Sequence, residues 1–281
     1  MRDAITGGTG VLGRRLLPLL EPNAALFAGD VRDADAVSAW VRRVRPTRLF
    51  HLAARVPVAR VEADPDEAMA VNATGSRNVA RALAAHAPDA WLFHASTSHC
   101  YRPQDRALRE DDPLDPHTLY GRTKRAAEDA VREAVRETGL RVCVGRLFSF
   151  WDERQAPPFL YPSLKARIAR RLGDAAGDPS VPFALRGASD IRDLSPAPML
   201  AALIAALAAR EARGVVNLGA GRGVRIEDVA QRIAGGRLRI EATGGAPTAI
   251  VADLARLRAA LGDETDAILA GWSLPPPLKT S

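Results

Sequence analysis

Apolar and polar positions in the first 150 residues follow two alternating patterns. Short apolar runs of strand length are followed by longer stretches in which apolar residues recur every three or four positions, as on one face of a helix. Strands that alternate with helices form βαβ units, so we predict an α/β fold with a doubly wound parallel sheet and helices on both faces. Predicted strands cover residues 4–5, 24–28, 48–54, 90–96 and 141–147, and predicted helices begin at Arg14, span 34–44, end near Ala85 and carry Tyr120.

Four residues refine this pattern. Asp33 is a suitable N-cap for the second predicted helix, and Gly139 lies where the helix that carries Tyr120 needs a C-terminal glycine. Asp3, in contrast, is a charged residue inside the first predicted strand. Pro18 should end the first helix early, because its ring clashes with the preceding turn.

The pattern changes after Phe150. The next thirty or so residues are richer in proline and charge, and strands no longer alternate cleanly with helices. We therefore predict two domains, with residues 1–150 in the larger one and residues 151–281 mainly in a smaller α/β domain, from which segments around 190–215 return to the first. The later predicted elements are a helix over 197–210, a strand over 215–219, a helix over 226–233 and a strand over 237–241.

Composition places the chain among soluble globular proteins. It has 281 residues, of which 47% are hydrophobic and 26% charged. No charged and apolar leader opens it, and its longest alanine- and leucine-rich stretch, residues 197–209, is too short to span a bilayer, so we expect no membrane association. The two cysteines, Cys100 and Cys143, fit neither a disulfide framework nor a metal-ligand spacing. We expect a cytoplasmic protein without a bound metal.

The positive charge of the chain suggests an anionic ligand. The net charge is +6, but the arginines are scattered and no aromatic-rich basic cluster accompanies them. Nucleic-acid binding usually needs such a cluster, so we expect an anionic small molecule and no nucleic acid.

Three glycines lie directly after the first predicted strand. Gly7, Gly10 and Gly13 have a GxxGxxG spacing and lead into the first predicted helix. Such glycines allow a tight turn and let backbone amides approach a pyrophosphate at the positive end of the helix. The pattern predicts a dinucleotide-binding turn of Rossmann type, and a plain turn is the alternative.

The segment after this turn bears on the choice of cofactor. Residues 14–29 alone separate Gly13 from Asp30, so the ribose side of the cofactor site must be built from an abbreviated loop. Asp30 is placed to accept hydrogen bonds from an adenine or a ribose. Since Arg14, Arg15 and Arg32 can meet a 2′-phosphate, we expect NADP, with NAD as the alternative.

A tyrosine and a lysine four residues apart are the most specific chemical signal. Tyr120 is one of three tyrosines, and Lys124 is one of only three lysines among 39 basic residues. Residues four apart on a helix share a face, and a nearby ammonium favours the phenolate of a phenol whose ordinary pKa is about 10. The pair predicts a tyrosine acid/base. The alternative is that Tyr120 packs on a helix face while Lys124 is solvated.

Taken together, these segments resemble the extended short-chain dehydrogenase/reductase family, which includes nucleotide-sugar epimerases, dehydratases and reductases. The resemblance covers nearly the whole chain, and the order of its motifs is specific. These motifs are the turn at 6–13, His51 to Ala54, Asn72 to Gly75, Ser96 to Tyr101, the Tyr120 and Lys124 pair, Arg192-Asp193, and Asn217 to Gly219.

The resemblance implies roles for individual residues. Tyr120 would be the acid/base, Lys124 would lower the pKa of Tyr120 and hold the nicotinamide ribose, and Thr97 would hydrogen-bond the reacting sugar oxygen. The C-terminal domain would bind the nucleotide sugar, and the substrate-binding residues would be Thr97, Ser98, His99, Ser149 and Arg192. The cofactor site would comprise Gly7, Thr9, Gly10, Val11, Leu12, Gly13, Arg14, Asp30, Val31, Leu52, Ala53, Ala54, Tyr120, Lys124 and Leu147.

Departures from the family pattern narrow the chemistry. Ser98 and His99 stand where dehydratases carry an acidic pair, so we expect no dehydration. His99 either exchanges a proton beside the keto group, since imidazole titrates in the useful range, or only lines the pocket. Ser149 replaces a family asparagine. Arg192 matches the arginine that binds the nucleotide diphosphate, and an ion pair with a neighbouring aspartate is the alternative.

The resemblance is greatest to reductases of GDP-4-keto-6-deoxymannose and related sugars. We therefore expect an NADPH-dependent reductase of a nucleotide-linked 4-keto-6-deoxy sugar, GDP-linked in preference, that serves capsule or lipopolysaccharide synthesis. The alternatives are a nucleotide-sugar epimerase with bound NAD, either a 4-epimerase or a 3/5-epimerase-reductase, and a cofactor-sensing binding protein without catalysis. The family resemblance also implies a homodimer, formed through the helix after Asn72 and the helix that carries Tyr120.

Overall fold

The computed structural model describes residues 1–56, 58–174 and 181–278. Within these ranges the strands are β1 (Asp3–Thr6), β2 (Ala25–Phe27), β3 (Arg48–His51), β4 (Trp91–Thr97), β5 (Arg141–Leu147), β6 (Ser149–Trp151), β7 (Phe183–Arg186), β8 (Ile191–Pro196), β9 (Gly214–Leu218), β10 (Gly223–Arg225), β11 (Ile240–Thr243) and β12 (Ala249–Ile250).

The helices between these strands range from one turn to five. They are α1 (Val11–Leu16), α2 (Ala34–Val44), α3 (Val58–Ala63), α4 (Pro65–Met69), α5 (Gly75–His86), α6 (Leu119–Thr138), α7 (Leu160–Gly173), α8 (Ala197–Ala209), α9 (Ile226–Ala234), α10 (Ala255–Leu261) and α11 (Glu264–Leu269). A π-helical turn, Ala70–Thr74, connects α4 to α5, and 3₁₀ turns follow α1 and β4.

A six-stranded parallel sheet forms the centre of the fold. Its strand order is β2-β1-β3-β4-β5-β9, and every neighbouring pair in it is parallel. Helices α1 and α8 pack on one face, and α2, α5 and α6 pack on the other. Each face buries its own apolar core, which is why the strands are apolar on both sides. The predicted doubly wound sheet is therefore confirmed.

Two smaller sheets come from the second half of the chain. Strand β8 pairs with β10 in antiparallel orientation and with β6 and β12 in parallel orientation, while β7 pairs with β11. Helices α7 and α9 pack together on a third apolar core beside them. Strand β9 and helix α8 belong to the six-stranded sheet and its cover, although they follow residue 150. The domain division near residue 150 stays a prediction.

The unusual residues of the sequence have local partners. Asp3 is buried, and its carboxylate accepts hydrogen bonds from Arg48 Nε and Nη2, both at 2.7 Å, and from the Glu21 backbone N–H at 2.9 Å. Pro18 lies in the 3₁₀ turn that follows α1, so the first helix does end early. Asp33 caps α2 by accepting from the Ala36 N–H at 2.9 Å, as predicted.

Three predicted boundaries are wrong. The first helix begins at Val11 instead of Arg14, because Gly10 is already extended at its N-cap and its carbonyl accepts from the Arg14 N–H at 2.9 Å. The third strand ends at His51 instead of Ala54, because the chain leaves the sheet there to pack over the glycine turn. The last predicted strand begins at Ile240 instead of Arg237.

Candidate active site

A cavity of about 970 Å³ opens at the carboxyl ends of the central strands. Its walls are the glycine turn after β1, the residues after β3 and β4, the start of α6 and the segment after β5. Ligands of open α/β sheets bind at this edge. The predicted site residues line this cavity except for four arginines, which are Arg14, Arg15, Arg32 and Arg192.

The glycine turn is packed too tightly for any larger residue. Gly7 has a positive φ of 71°, and a Cβ on it would lie 2.5 Å from the Ala53 backbone nitrogen. A Cβ on Gly13 would lie 2.5 Å from the Gly7 carbonyl oxygen. The glycines therefore bring the backbone of the turn against residues 52–54, and both segments form one wall of the cavity.

A pair of opposite charges lies at the rim beside β2. Asp30 lines the cavity, and its Oδ2 accepts hydrogen bonds from Arg32 Nε at 2.8 Å and Nη2 at 2.6 Å. These hydrogen bonds lower the pKa of the Asp30 carboxyl. Of the other arginines expected at a 2′-phosphate, Arg14 donates to the Thr9 carbonyl at 2.8 Å, and Arg15 pairs with Asp152 at 2.6 Å. Arg32 is therefore the one beside Asp30.

Helix α6 brings Tyr120 against the end of β4. The Thr118 hydroxyl caps the helix by accepting from the Gly121 N–H at 3.0 Å. Gly121 packs closely on the backbone of the 3₁₀ turn that follows β4. A Cβ on Gly121 would clash with the His99 carbonyl oxygen of that turn. As a result the rings of Tyr120 and His99 meet edge to face, with centroids 5.5 Å apart. Thr97, at the end of β4, is buried in the same wall.

The phenol of Tyr120 is an acid in this structure. Burial raises the pKa of Tyr120, an effect that Cys100 reinforces and a hydrogen bond with Thr97 opposes. This differs from the sequence-based expectation that Lys124 lowers the pKa of the phenol. The physical reason is that loss of hydration penalises the phenolate more than its surroundings stabilise it. A protonated phenol is the form that can donate to an oxyanion.

Lys124 is nearly completely buried under the cavity. Its residue is 2% exposed, and burial lowers the pKa of the ammonium to about 8, against the opposing effects of Cys100 and Glu128. A lysine whose pKa is near neutrality changes charge in the range where enzymes work. The alternative of a solvated Lys124 is therefore wrong.

Two histidines that the sequence analysis did not single out as titrating groups lie beneath Lys124. The rings of His51 and His94 stack with centroids 5.5 Å apart. His51 bonds Thr6 at 2.7 Å and Ser76 at 3.0 Å, whereas neither ring nitrogen of His94 has a hydrogen-bond partner within the described ranges. Burial and the charge of Lys124 lower the pKa of His51 to about 3 and that of His94 well below its ordinary value, so both rings are neutral.

His99 is also uncharged near neutrality. Burial, followed by the charges of His117 and Arg192, lowers the pKa of the His99 imidazole to about 4. Its Nδ1 is buried and has no partner in the described part of the chain. A neutral ring in this position can accept a proton or simply fill the wall, so both interpretations of His99 stay open.

A buried ion pair behind the cavity was missed in the sequence. Glu128 and Arg146 are 1% and 2% exposed, and the guanidinium binds the carboxylate through two hydrogen bonds, at 2.9 and 2.8 Å. Ser96, which lines the cavity, donates to the same carboxylate. The available signal was a second charged residue on a largely apolar helix face, one turn after Lys124, and another charged residue inside an apolar strand.

The predicted substrate residues are only partly brought together. Ser149 lines the cavity, next to Phe148 and Phe150. Arg192 does not line it, because its Nη2 donates to Asp190 Oδ2 and to the Thr248 hydroxyl, both at 3.0 Å. This ion pair is the alternative that the sequence left open for Arg192, and its role as a diphosphate ligand stays a prediction.

The cavity has the parts that a dinucleotide needs. One end has close-packed glycines and the acidic rim residue Asp30, and the other end has Thr97, Tyr120 and Lys124. Its volume of about 970 Å³ is at the upper end of the range for cofactor pockets. Fold and site together define a Rossmann-type nucleotide-binding protein with a tyrosine and lysine pair at the opposite end of the cavity from its glycine turn.

The comparison with family models agrees with this class. The chain belongs to the NAD dependent epimerase/dehydratase family, whose model matches residues 4–219. That range includes the glycine turn, the tyrosine and lysine pair and β9.

Relatives with known names match part of the chain. It is 38% identical over 154 residues to a dTDP-4-dehydrorhamnose reductase of Streptomyces griseus, which covers 52% of this chain and 50% of the relative. It is 33% identical over 184 residues to a dTDP-4-keto-6-deoxy-D-glucose reductase of Streptomyces niveus, covering 63% of this chain and 62% of that one. The chain therefore spans about half the length of the first curated relatives that it matches.

A similar fold occurs in solved structures over nearly the whole chain. RMD from Pseudomonas aeruginosa, solved as a complex with NADPH, aligns with a TM-score of 0.80 and 22% identity over 96% of this chain and 98% of that one. At this identity the likeness concerns the fold.

Two structural features are absent from the described residues. None of their helices is both long and apolar enough to cross a membrane. No group of three or more histidine, cysteine, aspartate or glutamate side chains in those residues is arranged to hold a metal ion.

Proposed function

We propose that this protein is an NADPH-dependent reductase of a nucleotide-linked 4-keto-6-deoxy sugar. The observation that carries the proposal is the convergence of Thr97, Tyr120 and Lys124 on one cavity that reaches back to the glycine turn. The family membership and the names of the relatives support the same reaction class.

Each of these residues has a role in the proposed reaction. The glycine turn, Asp30 and residues 52–54 hold the dinucleotide, and Lys124 holds its nicotinamide ribose. When bound, the reduced nicotinamide supplies a hydride to the keto carbon. Tyr120 donates its proton to the oxygen of the same carbonyl, which is the direction that its raised pKa favours. Thr97 donates a hydrogen bond to that oxygen and orients the sugar.

For the nucleotide of the substrate, we propose dTDP. The sequence alone favoured GDP, but the relatives that match this chain are named for dTDP-linked sugars. A panel with both nucleotides distinguishes the two, since they differ in the base and in the 2′-hydroxyl that GDP has and dTDP lacks.

The test is a spectrophotometric assay of NADPH oxidation with dTDP-, GDP- and UDP-linked 4-keto-6-deoxy sugars. We expect turnover with at least one of them, and a loss of about 10²–10⁴-fold in kcat for Tyr120→Phe, since general acid catalysis contributes that much. Tyr161→Phe is the matched control, because Tyr161 does not line the cavity and its hydroxyl bonds Glu153 at 2.6 Å. No turnover across the panel would overturn the proposal.

An epimerase differs from a reductase in how it treats its cofactor. A reductase must exchange NADPH in every cycle, whereas an epimerase retains NAD. The nucleotide that remains after purification and gel filtration therefore separates the two reactions, and a tightly retained NAD would favour the epimerase.

Three other expectations belong to this proposal. They are a cytoplasmic location, a place in capsule or lipopolysaccharide sugar synthesis, and a homodimer through α5 and α6. Sedimentation analysis tests the dimer directly, and a monomer at micromolar concentration would contradict it.

A further inference from the structure

The buried face of α6 carries two charged residues one turn apart. Lys124 and Glu128 are four residues apart, so they lie on the same helix face, and both point into the protein with 2% and 1% exposure. A buried charge is costly unless it has a partner, and a helix that packs on a sheet has no need of either residue for its apolar contacts. The pair therefore calls for a reason beyond packing.

Glu128 is held in place by three hydrogen bonds from two residues. Arg146 on β5 binds both carboxylate oxygens, and Ser96 on β4 donates to one of them. Ser96 and Arg146 are register partners on the neighbouring strands β4 and β5. The Glu128 carboxylate therefore lies across both strands at the level of Ser96, which lines the cavity. The Arg146 guanidinium is itself fixed by the Tyr101 hydroxyl at 2.8 Å and the Glu110 carbonyl at 3.0 Å.

The cavity wall is connected to this carboxylate. Ser96 lines the cavity and precedes Thr97, and Lys124 lines the same cavity one helical turn before Glu128. Glu128 belongs to α6 and is bonded by Ser96 on β4, so it restrains the distance between this helix and this strand next to the cavity. It does so without touching a molecule in the cavity, since Glu128 itself does not line it.

Glu128 is also the anion that offsets the burial of Lys124. Two groups would raise the pKa of Lys124 when they are ionised, the Cys100 thiol and the Glu128 carboxyl. Burial raises the pKa of the Cys100 thiol to about 12, so Cys100 is neutral under ordinary conditions and Glu128 remains. The other titratable groups around Lys124 are neutral or belong to the same ion pair: His51 from β3, His94 from β4, Tyr120 from α6 and Arg146 from β5.

We propose that Glu128 is a positioning residue of the active site, which keeps Lys124 charged and holds Ser96 and Thr97 at their distance from α6. This inference rests on the role proposed for Lys124, but its physical content is separate from any substrate. The ammonium of Lys124 must stay protonated to bind a ribose and to face the reacting phenol, and the carboxylate one turn away sustains that charge.

The experiment is a titration of the lysine side chains by NMR. The chain has only three lysines, so protein labelled with ¹³Cε-lysine gives a simple spectrum, and Lys124 is assigned by its absence in Lys124→Arg. In the wild type we expect a midpoint of about 8 for Lys124. In Glu128→Gln we expect it to fall by about one pH unit or more, since a neighbouring carboxylate acts at short range in a poorly hydrated site.

The matched control is Glu133→Gln, the same change at an exposed position of α6, for which the midpoint should not move. If Glu128→Gln does not fold, the double variant Glu128→Gln, Arg146→Met removes the ion pair as a unit and leaves no unpaired charge in the core. Its Lys124 midpoint should also be lower, because the carboxylate one helical turn from Lys124 is lost in this variant as well.

An unchanged Lys124 midpoint in a folded variant without the Glu128 carboxylate overturns the inference. Since the titration uses no substrate, this outcome is independent of the reductase assay. When a substrate is in hand, the high-pH limb of kcat/KM, which reports groups of the enzyme before it binds substrate, should move to lower pH in Glu128→Gln by the same amount as the NMR midpoint. The lysine role fails separately if the NMR midpoint moves and the kinetic limb does not.

Discussion

The ion pair of Asp30 and Arg32 joins a negative charge that lines the cavity to a positive charge next to it that does not. Both side chains are 44% exposed, so the pair contributes little to stability and its members remain available to a ligand. A carboxylate at this rim accepts from ribose hydroxyls, and a guanidinium binds a phosphate. The preference between NAD and NADP therefore depends on which charge faces the ribose.

For Arg32→Ala we predict a selective loss with NADPH. The variant should lower kcat/KM for NADPH by about 10- to 100-fold, the size of one hydrogen bond to a charged group, and leave that for NADH within a few-fold. Steady-state rates with both cofactors give the ratio. Arg42→Ala, an exposed arginine on the following helix α2, is the control. If Arg14→Ala causes the loss and Arg32→Ala does not, the assignment to Arg32 is wrong.

Single residues differ in how far the sequence could identify them. Tyr120 and Lys124 were identifiable, because both residue types are scarce in this chain and their spacing has a helical meaning. Glu128 and Arg146 were not identifiable. Their contact depends on the register of β4 and β5 and on where α6 packs on these strands. Arg192 was matched by motif, yet only the structure shows that Asp190 and Thr248 engage it.

Among the elements, α6 carries most of the site. Its beginning and end were predictable from local chemistry, since Thr118 caps the first turn and Gly139 ends the helix with a φ of 73°. Its distance from β4 was not, because that distance depends on what Gly121 meets. The missing side chain at Gly121 lets the helix approach the His99 carbonyl and brings Tyr120 to the end of β4.

Gly121→Ala should therefore move Tyr120 on α6 away from Thr97 at the end of β4. The methyl group clashes with the backbone oxygen of His99, so α6 must shift, and overpacking of this kind costs about 1–3 kcal/mol of stability. We expect kcat to fall by about 10²-fold, as for a displacement of about 1 Å in a site of this kind. Thermal unfolding and steady-state rates measure the two effects.

The control for this variant is Gly173→Ala at the end of α7. An added Cβ there meets nothing within 4 Å, so stability and kcat should stay near the wild-type values. If Gly121→Ala has full activity, the close approach of α6 is not what positions Tyr120.

In the whole molecule, one carboxylate joins the smaller sheet around β8 to the central sheet. Asp193 on β8 is fully buried and accepts from the backbone N–H groups of Ala220 and Gly221, both at 2.8 Å, and of Ala252 at 3.3 Å. Ala220 and Gly221 follow β9 of the central sheet, and Ala252 follows β12 of the smaller one. Asp193 therefore ties the smaller sheet to the end of the central sheet.

Asp193→Asn should destabilise the fold by about 1–3 kcal/mol, because an amide offers one acceptor oxygen where the carboxylate offers two, and backbone donors are left unsatisfied. The effect should depend on pH. Burial raises the pKa of Asp193 to about 6. The pKa of an aspartate in the unfolded chain is about 4, so the folded protein binds this proton more tightly than the unfolded chain does. The stability that results is fully present below about pH 4 and is lost as pH rises from about 4 to about 6. Thermal unfolding between pH 4 and pH 8 measures both.

The stability gap between wild type and Asp193→Asn should thus widen as pH falls from 6 to 4. Asp105→Asn, at an exposed loop position, should show no gap at any pH. A gap that is constant from pH 4 to pH 8 would mean that Asp193 does not titrate in the folded protein over that range.

The architecture of the first half was predictable at this scale, and that of the second was not. In the first half, periodicity alternates regularly, and each strand of the central sheet except β9 precedes residue 150. In the second half, short strands join three different sheets, so neighbours in sequence are not neighbours in space. The tie through Asp193 connects residues up to 59 positions apart, a distance at which local patterns carry no information.

The two walls of the cavity are also joined directly, by Arg15 on α1 and the buried Asp152, whose Nε–Oδ2 and Nη2–Oδ1 bonds measure 2.6 and 3.2 Å. Helix α1 continues the glycine turn, while Asp152 begins the segment that supplies Gln155 and Phe159 to the opposite wall. A ligand that binds against one wall therefore also restrains the position of the opposite wall, even when that wall has no ligand. We therefore expect ligands bound at the two walls to strengthen each other's binding by the same factor, with this guanidinium and carboxylate as the physical link.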